Sequence, residues 1–488
     1  MSNISLKKNF IMNALLTMSS FIFPLISFPY VSRILGPTGT GKINFVTSFV
    51  EYFYMFAQLG IPTYGIRACA RVRDNKQELT KVAQELLIIN LVTTLLSYIA
   101  LGICMKFIPR MQSDKELYII ISFSIILATI GMEWFYKALE QYTYIAVRSV
   151  IFKFIAVIAM FLLIHKEEDY VIYGAISIFA ASASNIFNFI NVHKYISLKP
   201  VGNYDFKRHI KPVLVFFAMA IATTIYTNLN SVMLGFITSD TDVGYYGVAV
   251  KIKTILVSLV TSLGAVLMPR VSYYIENKQM DEFKRIYEKA LDFVFVVAIP
   301  ITIYFILFAK EGIYFIAGDL YTESIIPMQI VMPTVLLLGL SNVTSMQILV
   351  PLGLEKEVLY SEIIGAIVYC IINILLIPRF KSSGAAIATL LTEVVVLLYQ
   401  SIILKKYISK IERKIGYIPI LVGVTIGSII AMPIKLLRLS YFFTLFLSAI
   451  VFFGIYLIVV TITKEKLVFE IETQLISKIK SWRTNNTK

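Results

Sequence analysis

The chain has 488 residues, of which 58% are hydrophobic and 15% charged, with a mean hydropathy of +0.77. Soluble domains run nearer a quarter charged, so a sequence this apolar cannot clothe a water-soluble surface and reads as an integral membrane protein. The formal net charge of +15 then reads as Lys and Arg crowding cytoplasmic loops, not as a nucleic-acid footprint.

Runs of about twenty apolar residues, long enough to cross a bilayer as helices, recur fourteen times. The first six cover residues 9–31, 43–64, 83–105, 117–137, 144–164 and 170–192. After a polar linker at 193–211 come 212–237, 246–268, 290–309, 325–350, 360–378 and 385–404, then 416–434 and 441–462. Backbone groups in lipid must bond within their own segment, so these runs should be helices; the short alternating strands of a barrel are missing. Lys7 and Lys8 precede the first run as in a signal peptide. The run is too long for one, and a second follows at once, so it reads as a first membrane helix. Cys69, Cys104 and Cys370 lie in or beside apolar runs, and His165, His193 and His209 lack ligand spacing. Neither a disulfide framework nor a metal centre is expected.

Between the first two runs lies LGPTGTGKI, residues 35–43, with G-x-x-x-x-G-K from Gly36 to Lys42. A phosphate loop needs a preceding strand, and Ser or Thr after the Lys to hold Mg²⁺. Position 43 is Ile. The stretch reads as a tight outer hairpin turned by its glycines and Pro37. Basic clusters follow alternate runs: Arg67, Arg71, Arg73, Lys76 and Lys81, then Lys194, Lys199, Lys207, Arg208 and Lys211. This alternation places both termini in the cytoplasm.

The halves repeat. SRILG at 32–36 matches SVMLG at 231–235, and NKQ recurs at Asn75 and Asn277, about 200 residues apart. Each NKQ precedes a charged amphipathic stretch that leads into a run. The expected fold is an all-α polytopic membrane protein of 14 transmembrane helices: two pseudo-symmetric six-helix lobes plus two C-terminal helices. The lobes fall at 1–200 and 201–404, with 405–488 holding the last two helices and a basic tail.

WFYKALEQYTYIAVRSVIFK, residues 134–153, resembles the signature around spans 4 and 5 of Wzx-type oligosaccharide flippases. SRILGPTGTGKINF, VGYYGVAVKI and LMPRVSYY resemble the same family's span 1–2 and span 7–8 regions. The resemblance covers most of the chain, more weakly after about residue 400. It implies the multidrug/oligosaccharidyl-lipid/polysaccharide exporter fold in a bacterial plasma membrane. It also implies a substrate, an oligosaccharide repeat unit on undecaprenyl pyrophosphate. The two extra helices fit the lipid-handling branches, where a related lipid II flippase uses them as a tail groove.

An ionisable group at mid-span costs about 2.5–3.5 kcal/mol on insertion scales, so it persists where it has a partner or a cavity. Glu133 and Lys137 form an ordinary i,i+4 pair at the inner interface. Arg148 lies about 6 Å and Lys153 about 13 Å into span 5. On the transport reading they offer a pyrophosphate one bidentate donor and one point charge. They are about 140° apart around the helix, so a shared ligand needs a broad cavity or a tilted helix. Lys251 and Lys253 on span 8 face different directions, so only one need line the cavity. Arg33, at the outer end of span 1, serves either substrate or headgroups. The deep acids are Glu51 on span 2 and Glu393 on span 12, the candidates for coupling to H⁺ or Na⁺. No cofactor is expected.

The leading reading is a flippase for lipid-linked oligosaccharides working by alternating access in capsule, O-antigen or other surface polysaccharide synthesis. Its partners are the lipid-linked glycan, membrane lipids and a polysaccharide polymerase, with no nucleic acid, and it is expected to act as a monomer. The alternatives are a cation-coupled multidrug exporter of the same fold and a membrane polysaccharide polymerase. The second needs a sizeable loop with catalytic groups, whereas the longest outer loop, 310–324, offers only Glu311, Asp319 and Glu323 without a motif. The repeat offset places Glu51 opposite Lys251 or Lys253 at equal depth. A pair there would close the outer side and open when substrate competes for the lysine or Glu51 is protonated. Glu51→Lys should inactivate, and adding Lys251→Glu or Lys253→Glu should restore part of the transport. Normal transport by Glu51→Gln, with no cross-link between cysteines at these positions, would remove this gate.

Overall fold

The computed structural model describes residues 6–277, 279–407, 416–470 and 472–473. Every regular element among them is helical. The first compact unit is Met1–Gly247 and the second Val248–Lys488. In chain order the helices are α1 (Leu6–Gln58), α2 (Ile61–Arg71), α3 (Lys76–Phe107), α4 (Lys115–Gly131), α5 (Glu133–Ala138) and α6 (Tyr142–Leu163). Next come α7 (Tyr170–Ile178), α8 (Asn185–Asn191), α9 (Lys207–Ile237), α10 (Asp240–Glu276), α11 (Met280–Leu307) and α12 (Ala309–Ile316). The last are α13 (Ile325–Val331), α14 (Thr334–Thr344), α15 (Glu355–Tyr407), α16 (Tyr417–Ala431) and α17 (Tyr441–Ile462).

A straight helix the length of α1, 53 residues, would measure about 80 Å, against a hydrocarbon core of about 30 Å. It reverses at Gly36, whose φ of 62° and ψ of −177° lie in a region open essentially to glycine alone. Contacts on each side give the directions. Before Gly36, Asn9 bonds Glu140 and the Tyr30 hydroxyl donates to the Ile164 carbonyl, so this limb runs parallel to α6. Beyond it, Lys42 bonds Asp114, Phe49 packs on Tyr118 and Gln58 bonds Thr129, so the second limb runs parallel to α4. α7 and α8 also run parallel to α4, with Gly174 against Leu117 and Gly131 against Asn185. They are antiparallel to α6, with Tyr144 bonded at Phe187 and Phe152 packed on Phe179. The hairpin expected at LGPTGTGKI is therefore present, and Lys42 is committed to Asp114 and Tyr170.

At the opposite end of this unit, Met132 in the left-handed conformation (φ 43°) separates α4 from α5. The WFY of the signature then turns inward, and Trp134, Phe135 and Tyr136 join a core with Ile61, Cys69 and Leu86. Asn75 of the first NKQ caps α3 by accepting from the amides of Gln77 and Glu78. Asn277 of the second instead donates to the Tyr273 carbonyl just ahead of α11. Glu85, fully buried, accepts from Arg208 at 2.6 Å and contacts His209 at 2.8 Å, tying the start of α9 to α3.

In the second unit α15 breaks at Lys381 (φ 50°, ψ −128°). Its limbs are antiparallel: Tyr399 bonds Glu357, Gln400 bonds Ser361, and Tyr369 meets Thr389. α16 and α17 pack on α11 around Tyr304, Phe452 and Tyr456. The stretch read as the longest outer loop, 310–324, is largely helical, as α12 and a 3₁₀ turn at Asp319–Ser324. Buried Glu311 anchors it through Lys435 at 3.3 Å. Among the described residues, eleven helices are long and apolar enough to cross a membrane, or twelve if the bent pair Asp319–Val331 and Thr334–Leu349 is one span. A β-carbon at Gly427 would sit 3.0 Å from the Phe452 carbonyl oxygen. Gly427→Leu should therefore wedge α16 off α17 and destabilise the unit by about 1–3 kcal/mol, read as a lowered unfolding temperature in detergent.

Candidate functional site

The limb of α1 before Gly36 carries two differently coloured faces. Ile11, Leu15, Met18, Ile22 and Ile26 recur at helical spacing along one, and Asn13, Thr17, Ser20 and Pro24 along another. The apolar face forms a groove of about 610 Å³ with Val150, Phe154 and Val157 of α6. The polar face bounds a cavity of about 530 Å³ closed by α5, α6, α7 and the wide turn Phe179–Ala183. Such π-type turns cluster at functional sites because they open a helix locally. Into this cavity come Glu133 and Lys137, paired at 2.8 Å, together with Ser149, Ser177 and Lys153.

Lys153 reaches both spaces. Its Nζ donates to the Ser19 and Ser20 hydroxyls, each at 2.9 Å. Arg148 sits on another side of α6, where it bonds the Asn188 side-chain oxygen and lies 5.3 Å from the Tyr144 ring centre. It is 8% exposed, its Nε lacks a partner among the described residues, and it lines neither space. The five residues between them turn the helix through about 140°. The two cations therefore have separate surroundings.

The other predicted residues are dispersed. Glu51 is partly buried in the second limb of α1 and makes no ion pair among the described residues. Arg33 is exposed and donates to the Pro29 carbonyl near the Gly36 turn. Lys251 and Lys253 are partly buried on α10, in the second unit. Glu393 on α15 is 1% exposed, and among the described residues its Oε1 has no hydrogen-bond partner.

The Gly36 end of the first unit holds a tight cluster. Arg110 bonds Asp240 at 2.6 Å, and the Thr38 and Thr241 hydroxyls meet at 2.9 Å. A β-carbon at Gly41 would stand 1.7 Å from the Asp240 carbonyl oxygen, and one at Gly244 would stand 2.0 Å from that of Pro37. Backbone thus meets backbone, which only glycine allows. Lys42, Asp114 and Tyr170 join beside it, within 2.8–3.4 Å of one another. Burial alone would raise the Asp114 pKa, but bonds from Lys42 and Tyr170 and the Lys42 charge outweigh it, leaving the carboxyl below its ordinary value. This contribution is present above the unfolded carboxyl's pKa and is lost as pH falls through the lower folded value.

A profile of the polysaccharide biosynthesis protein family matches residues 6–275, more than half the chain. The chain belongs to this family. A profile of the MatE family matches residues 215–378. A protein of Escherichia coli (strain K12) named as an O-antigen transporter is 24% identical over 399 residues, covering 81% of this chain and 95% of its own. A solved structure of lipid II flippase MurJ, in an inward closed conformation, superposes with a TM-score of 0.72 at 17% identity, covering 94% of this chain and all of that one. A multidrug resistance MATE family transporter in an inward-facing conformation superposes at 0.60 with 15% identity, covering 83% of this chain and all of that one. At these identities the two structures establish the fold.

The cavity residues Lys137, Asn13, Thr17 and Ser20 were not picked out as site residues from the sequence. The spacing of Asn13, Thr17 and Ser20 along an apolar run was the available signal. The Arg110–Asp240 and Thr38–Thr241 contacts had none, because each joins positions more than a hundred residues apart. Cysteines at Thr38 and Thr241 should form a disulfide on mild oxidation, read as a mobility shift after cleavage between them. No cross-link in any condition would show that the two turns do not meet.

Proposed function

We propose that this chain is a transporter that flips undecaprenyl-pyrophosphate-linked oligosaccharide from the inner to the outer leaflet of a bacterial plasma membrane. The observation that carries the reading is the polar cavity among membrane-crossing helices of the first unit, with Lys137 and Lys153 set against the single acid Glu133. Cations are retained at this depth for a partner or a ligand, and a cavity with surplus positive charge suits an anionic pyrophosphate. The family and the named relatives agree with this direction. A cationic drug, as a MATE-type exporter would carry, meets the wrong sign of charge here.

In this reading each reversing helix, α1 and α15, crosses twice, giving fourteen spans with both termini cytoplasmic. The lobes are 1–200 and 201–404, and the remainder carries the two added helices. Alternating access moves the substrate, and the cluster joining Thr38, Gly41 and Arg110 to the start of α10 is the outer closure. Lys153 receives the pyrophosphate, Arg148 is drawn from Asn188 as a second donor, and Arg33 with Lys251 or Lys253 completes the basic path. Glu51 and Glu393 carry the coupling H⁺ or Na⁺. The protein works as a monomer beside a polysaccharide polymerase that consumes its product.

Proteoliposomes with the full chain and an undecaprenyl-pyrophosphate-linked oligosaccharide should show protein-dependent exposure of the sugar on the far leaflet. A charge-assisted hydrogen bond is worth about 1.5–3 kcal/mol, so Lys153→Ala or Arg148→Ala should slow flipping about ten- to hundredfold. Arg148→Lys should recover only part, since the bidentate fork is lost. Membrane protein levels should not change. Wild-type flipping by the double variant would remove both residues from the site.

A further inference from the structure

The apolar groove and the polar cavity flank one helix contact, between the first limb of α1 and α6. Phe23 and Lys153 line both. Apart from Ser19 and Lys153, every residue lining the groove is apolar. Ser19 lines the groove and Ser20 the cavity, and Lys153 donates to one hydroxyl on each side. Both acceptors are neutral, and among the described residues Lys153 has no carboxylate within ion-pair distance. Its charge is therefore available to an incoming anion.

The order of surfaces is apolar groove, one ammonium, then hydroxyls, an amide and the Glu133–Lys137 pair. A complementary occupant is apolar along its length, anionic at one end and polar beyond that anion. A long-chain prenyl lipid carrying phosphate and sugar has its chemistry in this order. We infer that the groove between α1 and α6 seats the prenyl tail of the lipid-linked substrate, with its phosphate at Lys153 and its sugars toward the polar cavity. The inference rests on the flippase reading and adds where the tail lies. The resemblance places the tail on the two C-terminal helices. In this chain the α16–α17 seam is closed at Gly423, where a β-carbon would lie 3.0 Å from Tyr456, and at Gly427, where it would lie 3.0 Å from Phe452. The seam between these two helices is therefore packed at those levels, and a tail held there would lie on their outer face.

The probe is undecaprenyl phosphate, added to the full-length protein in phosphatidylethanolamine nanodiscs. Ile22 and Phe154 are 47% and 65% exposed, so changes there should leave the folded core intact, checked by the unfolding temperature. Ile22→Trp should fill the groove and weaken undecaprenyl phosphate binding at least tenfold, and Lys153→Gln should do the same by removing the charge. A photo-cross-linking residue at Phe154 should capture the lipid, while one at Leu421 on α16 should not. Unlabelled undecaprenyl phosphate should suppress that capture, and a tenfold excess of phosphatidylglycerol should not. Unchanged binding by Ile22→Trp, capture from Leu421 alone, or equal competition by phosphatidylglycerol would each overturn the seat. Such a result beside normal flipping in proteoliposomes leaves transport standing. Wild-type protein that captures the lipid from Phe154 yet moves no oligosaccharide overturns transport and leaves the seat.

Discussion

Hydrocarbon offers no hydrogen-bond partner, and nearly every feature of this protein follows from that deficit. Backbone groups must bond within the segment, so the described elements are helices. Polar side chains must find one another or a cavity, so each one inside a helix marks a contact or a site. Two interruptions of the helical ladder show how the chain turns. Gly36 adopts a conformation that a side chain would forbid, and Met132 takes the left-handed region at the break before α5.

The same constraint divides the polar groups of the first unit into three roles. At one end, Arg110 with Asp240 and Lys42 with Asp114 are mutually satisfied, and glycines bring two backbones together around them. At the other, Glu85 gathers Arg208 and His209 and holds the linker against α3. Between them, Lys153 is satisfied among the described residues by two serines. A closed ion pair resists an incoming anion, because the anion must first displace a carboxylate. A hydroxyl-held ammonium presents a far smaller barrier, which sets Lys153 apart from the ion-paired cations Lys42, Arg110 and Arg208.

Much of this was legible in the chain. The apolar runs located the helices, because a bilayer-length stretch has few other uses. LGPTGTGKI was readable as a turn, since Ile43 rules out the Mg²⁺ ligand and glycine next to proline favours reversal. Glu133 and Lys137 were readable as a pair from their spacing, but not as part of a cavity wall. That requires knowing that α1, α6 and α7 converge on α5. The 310–324 stretch lies between two apolar runs and so reads as an outer loop, but it is largely helical. Glu311 is instead buried against Lys435, a partner more than a hundred positions away.

By itself, then, the sequence determined the membrane class, the helical segments, the Gly36 reversal and the presence of costly charges, because these depend on composition and on neighbours within a few turns. The tertiary structure alone decided that Arg148 faces Asn188 while Lys153 stands between an apolar groove and a polar cavity. It also decided that the first turns of the second limb of α1 lock against α10. Helical phase gives the angle between two side chains, but not which helices occupy those directions. That is set by long-range packing, in which the partners come from distant parts of the chain.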